Sequence, residues 1–180
     1  MLRRLLMLLS LVAVIGLAAC GDDDEGSGGG GADTAQEDTG TETASPAETE
    51  AALKDTSTKP LLPKPTGAPP RRLTVEEIVK GKGRAAKAGD TVVVHYVGMN
   101  FSNGLEFDAS WDAGAPFPVQ IGMTQVIEGW TRGLVGIREG GRRKLTIPPE
   151  LGYGAAGYPP DIPPNETLIF VVDAVSVEAA

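Results

Sequence analysis

From Leu73 onward, apolar and polar residues alternate in short runs, each broken by glycine or proline. Thr91 to Val97 (TVVVHYV) is a β-branched stretch bounded by Gly89-Asp90 and Gly98, which predicts a strand. A period of two sends Val92, Val94 and Tyr96 to one face and Val93, His95 and Val97 to the other. Asn103-Gly104 predicts a hairpin through a type I′ turn, with positive φ at both central residues, leading into Leu105 to Asp108. Phe117 to Ile121 reads as another strand, and Pro118 places it at an edge or a bulge because proline removes a ladder donor. Leu73 to Lys80, Arg142 to Ile147 and Thr167 to Val177 complete the strands, with Gly81-Lys82-Gly83 as a turn. Val126 to Ile137 differs, since Ile127, Trp130 and Leu134 share one helical face. Gly129, Gly133 and Gly136 each cost about 1 kcal/mol relative to Ala there, so the helix should be short and held by packing. The links are too short for parallel crossovers, which predicts an α+β class with a largely antiparallel sheet.

Charge and aromatic content divide the chain. The net charge of the 180 residues is −8, yet residues 21–70 hold 11 acidic and 3 basic residues while residues 71–180 hold 13 and 11. All nine aromatics lie between Tyr96 and Phe170, so a core belongs in residues 71–180. Residues 20–70 run from an acidic, Gly-rich stretch to the Pro-rich PLLPKPTGAPP, with Leu53, Leu61 and Leu62 as their large aliphatics. That is too little apolar surface to offset ordering entropy, and the stretch reads as a disordered linker with a span of roughly 40 Å. A near-neutral domain behind an acidic stretch excludes a nucleic-acid role, which needs clustered Lys and Arg. The single Cys excludes an internal disulfide, and with His95 as the only histidine no zinc site is expected. Arg142-Arg143-Lys144 alternates between faces and reads as an ordinary strand edge. His95, turned away from Tyr96 by the same alternation, reads as structural rather than as a general base.

Residues 1–19 combine Arg3 and Arg4 with an apolar run from Leu5 to Leu17, too short for a confident span and matching an export signal. Leu17-Ala18-Ala19-Cys20 resembles a bacterial lipobox. The expectation is cleavage before Cys20 and its acylation with palmitate-type chains, which gives the lone thiol a use. Two acyl chains suffice for stable anchoring. The mature chain would then sit on the outer face of the cell membrane or the periplasmic face of an outer membrane.

Five blocks fix a resemblance over about Leu73 to Val177: GDTVVVHYVG from Gly89, FDAS from Phe107, VIEGW from Val126, LGYGA from Leu151 and IPPN from Ile162. In order and spacing they resemble the FKBP-type peptidyl-prolyl isomerases. The resemblance implies a five-stranded antiparallel sheet wrapped around one short helix, with a shallow apolar pocket between them. It implies Trp130 as the pocket floor and a catalytic group of Asp108, Tyr153, Trp130 and Phe107. Substrate contacts would come from Tyr96, Phe117, Val126, Ile127, Tyr158, Ile162 and Phe170, under a flap from Pro148 to Asn165. The Ile127 N–H and Tyr153 hydroxyl would hold substrate carbonyls. Proline-containing polypeptides and FKBP-directed macrolides are the implied partners, with no cofactor and no metal. One block departs from the family: Ala109-Ser110-Trp111-Asp112-Ala113 lacks the Arg that pairs with the acidic residue in relatives. Asp108 is left to bond to Tyr96, to be hydrated, or to shift its pKa upward. The expected function is isomerisation of Xaa-Pro bonds in exported proteins. Rival readings are a tethered holdase or peptide-binding module of the same fold, and a small-molecule receptor.

Overall fold

The computed structural model describes residues 46–180. The expected export signal at 1–19, the expected acylation at Cys20 and the expected linker as far as residue 45 lie outside the described residues. The elements in chain order are α1 (Pro46–Lys54), β1 (Thr74–Val79), β2 (Thr91–Asn100), β3 (Glu106–Ala109), β4 (Phe117–Gln120), α2 (Glu128–Gly133), β5 (Arg142–Ile147), a 3-10 turn (Pro149–Leu151) and β6 (Leu168–Glu178). All six strand regions read from sequence appear, and β2 runs three residues past its expected limit, to Asn100.

Every strand pairing is antiparallel, in the order β1-β5-β6-β2-β3, with β4 also paired to β2. The sheet thus has six strands rather than five. β2 is 10 residues long and β3 and β4 only 4 each, so one edge of β2 seats both. β4 takes Thr91 to Val94, with Pro118 opposite Val93, and β3 takes Val97 to Met99. Pro118 therefore stands on an edge strand, where its missing donor leaves no gap in the ladder.

Alternation splits the sheet into two buried faces. Val92, Val94, Leu145, Ile147, Leu168, Phe170 and Val172 form the inner core with Trp130 and Leu134. The outer face carries Val97, Met99, Ile169 and Val171, all buried as well. Three sequence expectations need correction here. Arg142-Arg143-Lys144 is no edge, because β5 lies between β1 and β6. Arg142 is fully buried and its Nη2 donates to Asp173 Oδ2 at 2.8 Å, while Arg143 donates to the carbonyls of Gly133 and Val135 at 2.7 and 3.0 Å. The pairing of residues 31 positions apart leaves no local trace in sequence. Second, the linker reading fails for its C-terminal part: α1 forms, Pro60 is buried, and Arg142 donates to the Leu53 and Thr58 carbonyls, each at 3.0 Å. Docking through backbone carbonyls and proline needs few large aliphatics, so composition does not reveal it. Third, the β2–β3 turn is not type I′. Gly104 has φ of 74°, but Asn103 is not left-handed. Its Oδ1 instead accepts the Leu105 N–H at 2.8 Å, closing a wider loop.

The short helix is held by contact, as its glycines led one to expect. A Cβ on Gly133 would stand 2.7 Å from Leu145 Cδ2, and one on Gly129 would stand closer still to Ile147. Gly129→Ala should therefore lower stability by about 1–3 kcal/mol, despite a gain in helix propensity of about 1 kcal/mol. Urea denaturation checks this, and a stabilised variant would show that α2 is not pressed against β5.

Candidate active site

A cavity of about 550 Å³ opens between α2 and the inner face of the sheet. Each wall has its own origin. β2 supplies Tyr96, β3 supplies Phe107 and Asp108, β4 supplies Phe117, and β6 supplies Phe170. The loop entering α2 adds Gln125, Val126 and Ile127, α2 adds Trp130, and Tyr153 reaches in from the segment after the 3-10 turn. Nine of these ten lining residues were singled out from the sequence. Gln125 was not, because a neutral amide before an apolar pair carries no signal of chemistry.

Trp130 is 4% exposed and meets its neighbours edge-on. Its ring stands 5.1 Å from Tyr96 at 84° and 5.2 Å from Phe170 at 88°, while Phe107 meets Phe170 at 5.5 Å and 85°. Such T-shaped contacts set electron-poor edges against electron-rich faces and fix ring orientation beyond what area burial does. The rings are thus braced by one another and leave the indole with a recess beside it. The Trp130 indole N–H is buried with no partner among the described residues.

Polar groups in the cavity are few. The Tyr96 hydroxyl donates to Asp108 Oδ2 at 2.6 Å, so of the three fates left open for an Asp108 without its arginine, the structure adopts the bond to Tyr96. Burial first, and then the Asp108 carboxylate, push the Tyr96 phenol well above its ordinary range. Burial likewise raises Tyr153, with Asp108 adding to it. The Ile127 carbonyl accepts from the Trp130 N–H at 3.0 Å, whereas the Ile127 N–H has no acceptor among the described residues. It remains a donor at the cavity wall.

Two expected contacts lie elsewhere. Ile162 is 3% exposed and belongs to the core, and Tyr158 is 63% exposed outside the cavity lining. Their backbones exchange hydrogen bonds at 2.9 Å, which turns the tip of the flap back on itself. The Tyr158 ring lies 5.7 Å from Tyr153. His95 keeps the structural place read for it: Nδ1 lies 3.0 Å from Ser110 Oγ and the ring stacks on Trp111 at 4.3 Å.

The raised Tyr96 has a consequence for stability. The unfolded chain releases this phenolic proton near pH 10, while the folded chain retains it to higher pH. The folded state then binds more protons above that point, so stability is complete below pH 10 and declines as pH rises further. Tyr96→Phe should flatten this alkaline decline, measured as urea midpoints from pH 9 to 11.5. Identical slopes in the two proteins would contradict it.

Comparison with known proteins agrees with this geometry. A family model for FKBP-type peptidyl-prolyl cis-trans isomerase matches residues 82–175. An FK506-binding protein of Streptomyces anulatus is 52% identical over 120 residues, covering 66% of this chain and 97% of that protein. The crystal structure of AtFKBP13 superposes with a TM-score of 0.54 at 36% identity, covering 59% of this chain and 93% of that one. FkpA from Escherichia coli superposes with a TM-score of 0.55 at 48% identity, covering 60% of this chain but only 49% of that one, about half its length. The matched segment contains β2 to β5, α2 and all ten cavity residues, and the chain belongs to the FKBP-type peptidyl-prolyl cis-trans isomerase family.

Proposed function

We propose that this chain accelerates Xaa-Pro rotation in exported polypeptides by non-covalent catalysis in the aromatic cavity, while held at a membrane surface through lipid on Cys20. The observation that carries the catalytic part is the open recess beside a fixed indole. Rotation about a peptide bond crosses a barrier of about 18–20 kcal/mol set by amide resonance, and no bond is made or broken. A nucleophile is therefore unnecessary.

The planar amide is charge-separated and well solvated by water, whereas the twisted amide is less polar. Walls made mostly of rings, with few polar groups, favour the twisted form relative to the planar one. In this reading the prolyl ring sits on Trp130 and against Phe107, Tyr96 and Phe170. The Ile127 N–H and the Tyr153 hydroxyl hold the flanking carbonyls, so that rotation is confined to one bond. Asp108, tied to Tyr96, keeps that phenol from competing for them. The relative from Streptomyces anulatus bears the name of a macrolide ligand, and an FK506-type macrolide is the corresponding ligand expected for this cavity. The residues before Cys20, with their apolar run and lipobox-like ending, support export and anchoring.

A protease-coupled assay on an Ala-Leu-Pro-Phe peptide tests the catalytic part. One lost neutral hydrogen bond is worth about 0.5–1.5 kcal/mol, so Tyr153→Phe should lower kcat/KM by roughly 2- to 12-fold. Trp130→Ala and Phe107→Ala should lower it further, and an FK506-type macrolide should inhibit the unaltered protein. Full turnover in Trp130→Ala with none in Tyr153→Phe would refute the apolar-cavity account. The anchoring part is checked separately by fractionating cells that express the full chain. Cys20→Ser should move the protein out of the membrane fraction, and unchanged membrane retention would refute lipid attachment at Cys20.

A further inference from the structure

The segment after α1 reaches β3, which carries two cavity residues, through the Lys59 side chain. Lys59 Nζ lies 2.7 Å from Glu106 Oε1 and 2.8 and 2.9 Å from the two carboxylate oxygens of Asp112. Glu106 opens β3 and Asp112 lies in the loop that follows it, so the ammonium bridges the two ends of the segment that carries Phe107 and Asp108. The far end of that segment is tied to β2 through Ser110 and through Trp111 stacked on His95, while its two outward acids, Glu106 and Asp112, share Lys59 as their cation. β3 is 4 residues long, occupies the edge of the sheet, and pairs with β2 through a register shift between Gly98 and Met99. The backbone on either side of Lys59 is itself fixed, since Thr58 O accepts from the buried Arg142 at 3.0 Å and Pro60 is buried.

The charges define what the ammonium does. Two carboxylates within hydrogen-bond reach of one nitrogen are necessarily close to each other, and without it they repel. Repulsion between Glu106 and Asp112 would spread the ends of the segment and displace what lies between them. The affected groups are the Phe107 ring against Phe170 and the Asp108 carboxylate that accepts from Tyr96. Asp112 and then Glu106, by hydrogen bonding, hold the Lys59 ammonium above its usual range. It stays charged throughout the neutral range.

We infer that Lys59 is a positioning residue for the isomerase reaction, a cation delivered from the segment before the domain that fixes the Phe107–Asp108 wall of the cavity. It touches no substrate and acts through the two acids. The inference rests on the isomerase reading of the cavity and adds to it a dependence on residues N-terminal to the sheet.

The test uses the full chain and the peptide assay. Partly exposed ion pairs contribute modestly, so Lys59→Met should lower kcat/KM by roughly two- to fivefold, and Lys59→Arg should retain it. Removing the repulsion should restore activity: Lys59→Met combined with Glu106→Gln and Asp112→Asn should recover most of the loss, which a general loss of stability would not do. A Lys59→Met protein with full kcat/KM, or a loss that the triple variant does not reverse, overturns the proposal. An unaltered chain with no turnover overturns the isomerase reading and this inference with it, whereas an active chain insensitive to Lys59 overturns this inference alone.

Discussion

The distance between α2 and β5 governs the functional half of the molecule. Glycines at 129 and 133 let the helix lie directly on Ile147 and Leu145, and a methyl group at either position would force the two apart. Trp130, on the same short helix, is thereby held low in the fold with Tyr96 and Phe170 standing edge-on against it. The cavity is the space left above this arrangement. Because interiors pack near crystal density, a shift of the helix by the width of a methyl group would either fill the recess or tilt the indole. A helix with two glycines in its 6 residues has little intrinsic stability, and its conformation comes from the surface on which it rests.

The other face of the sheet solves a different problem. Val97, Met99, Ile169 and Val171 would be exposed on a bare sheet, and the segment from Leu53 to Pro70 lies over the region where they emerge. Its attachment centres on Arg142, whose guanidinium shares its donors between Asp173 and the carbonyls of Leu53 and Thr58. Burial raises the Asp173 carboxyl and the hydrogen bonds from Arg142 oppose this. A buried pair of this kind contributes little net stability against an apolar replacement, but it is strongly destabilising when one partner is lost. Its value is directional: it selects one position for the passing chain. The two faces thus have separate tasks, one shaping a cavity and the other fixing how the preceding segment leaves the domain.

Much of this was legible in the sequence because its causes are local. The β-branched run at Thr91 to Val97, the proline at 118 and the glycine-spaced helix each impose their conformation over a few residues; the strand continues to Asn100, and the helix keeps only Glu128–Gly133 of the Val126 to Ile137 stretch, short as its glycines require. The cavity residues were legible through a resemblance that joined five separated blocks, which no single block would have established. What escaped depends on partners remote in sequence. Arg142 finds Asp173 across a strand pair, Lys59 finds Asp112 from 53 positions away, and Pro60 is buried by a surface that exists only after the sheet forms. Tyr158 and Ile162 shared the flap with Tyr153 and carried the same apolar or aromatic character. Backbone pairing between them directs one to solvent and the other to the core, and neither periodicity nor composition encodes that choice. The turn at Asn103 was misjudged because its side chain, rather than a left-handed backbone, closes the loop.

In the proposed function, prolyl rotation takes place on the indole of Trp130 and nowhere else on this surface. NMR of the isotope-labelled full chain with a Leu-Pro peptide measures place and rate together. The account predicts cis–trans exchange peaks of the peptide at substoichiometric protein, together with shifts concentrated at the Trp130 indole N–H, the Ile127 amide and the Phe107 ring. Accelerated exchange accompanied by shifts confined to the opposite face, around Met99, Phe101 and Leu62, would contradict it.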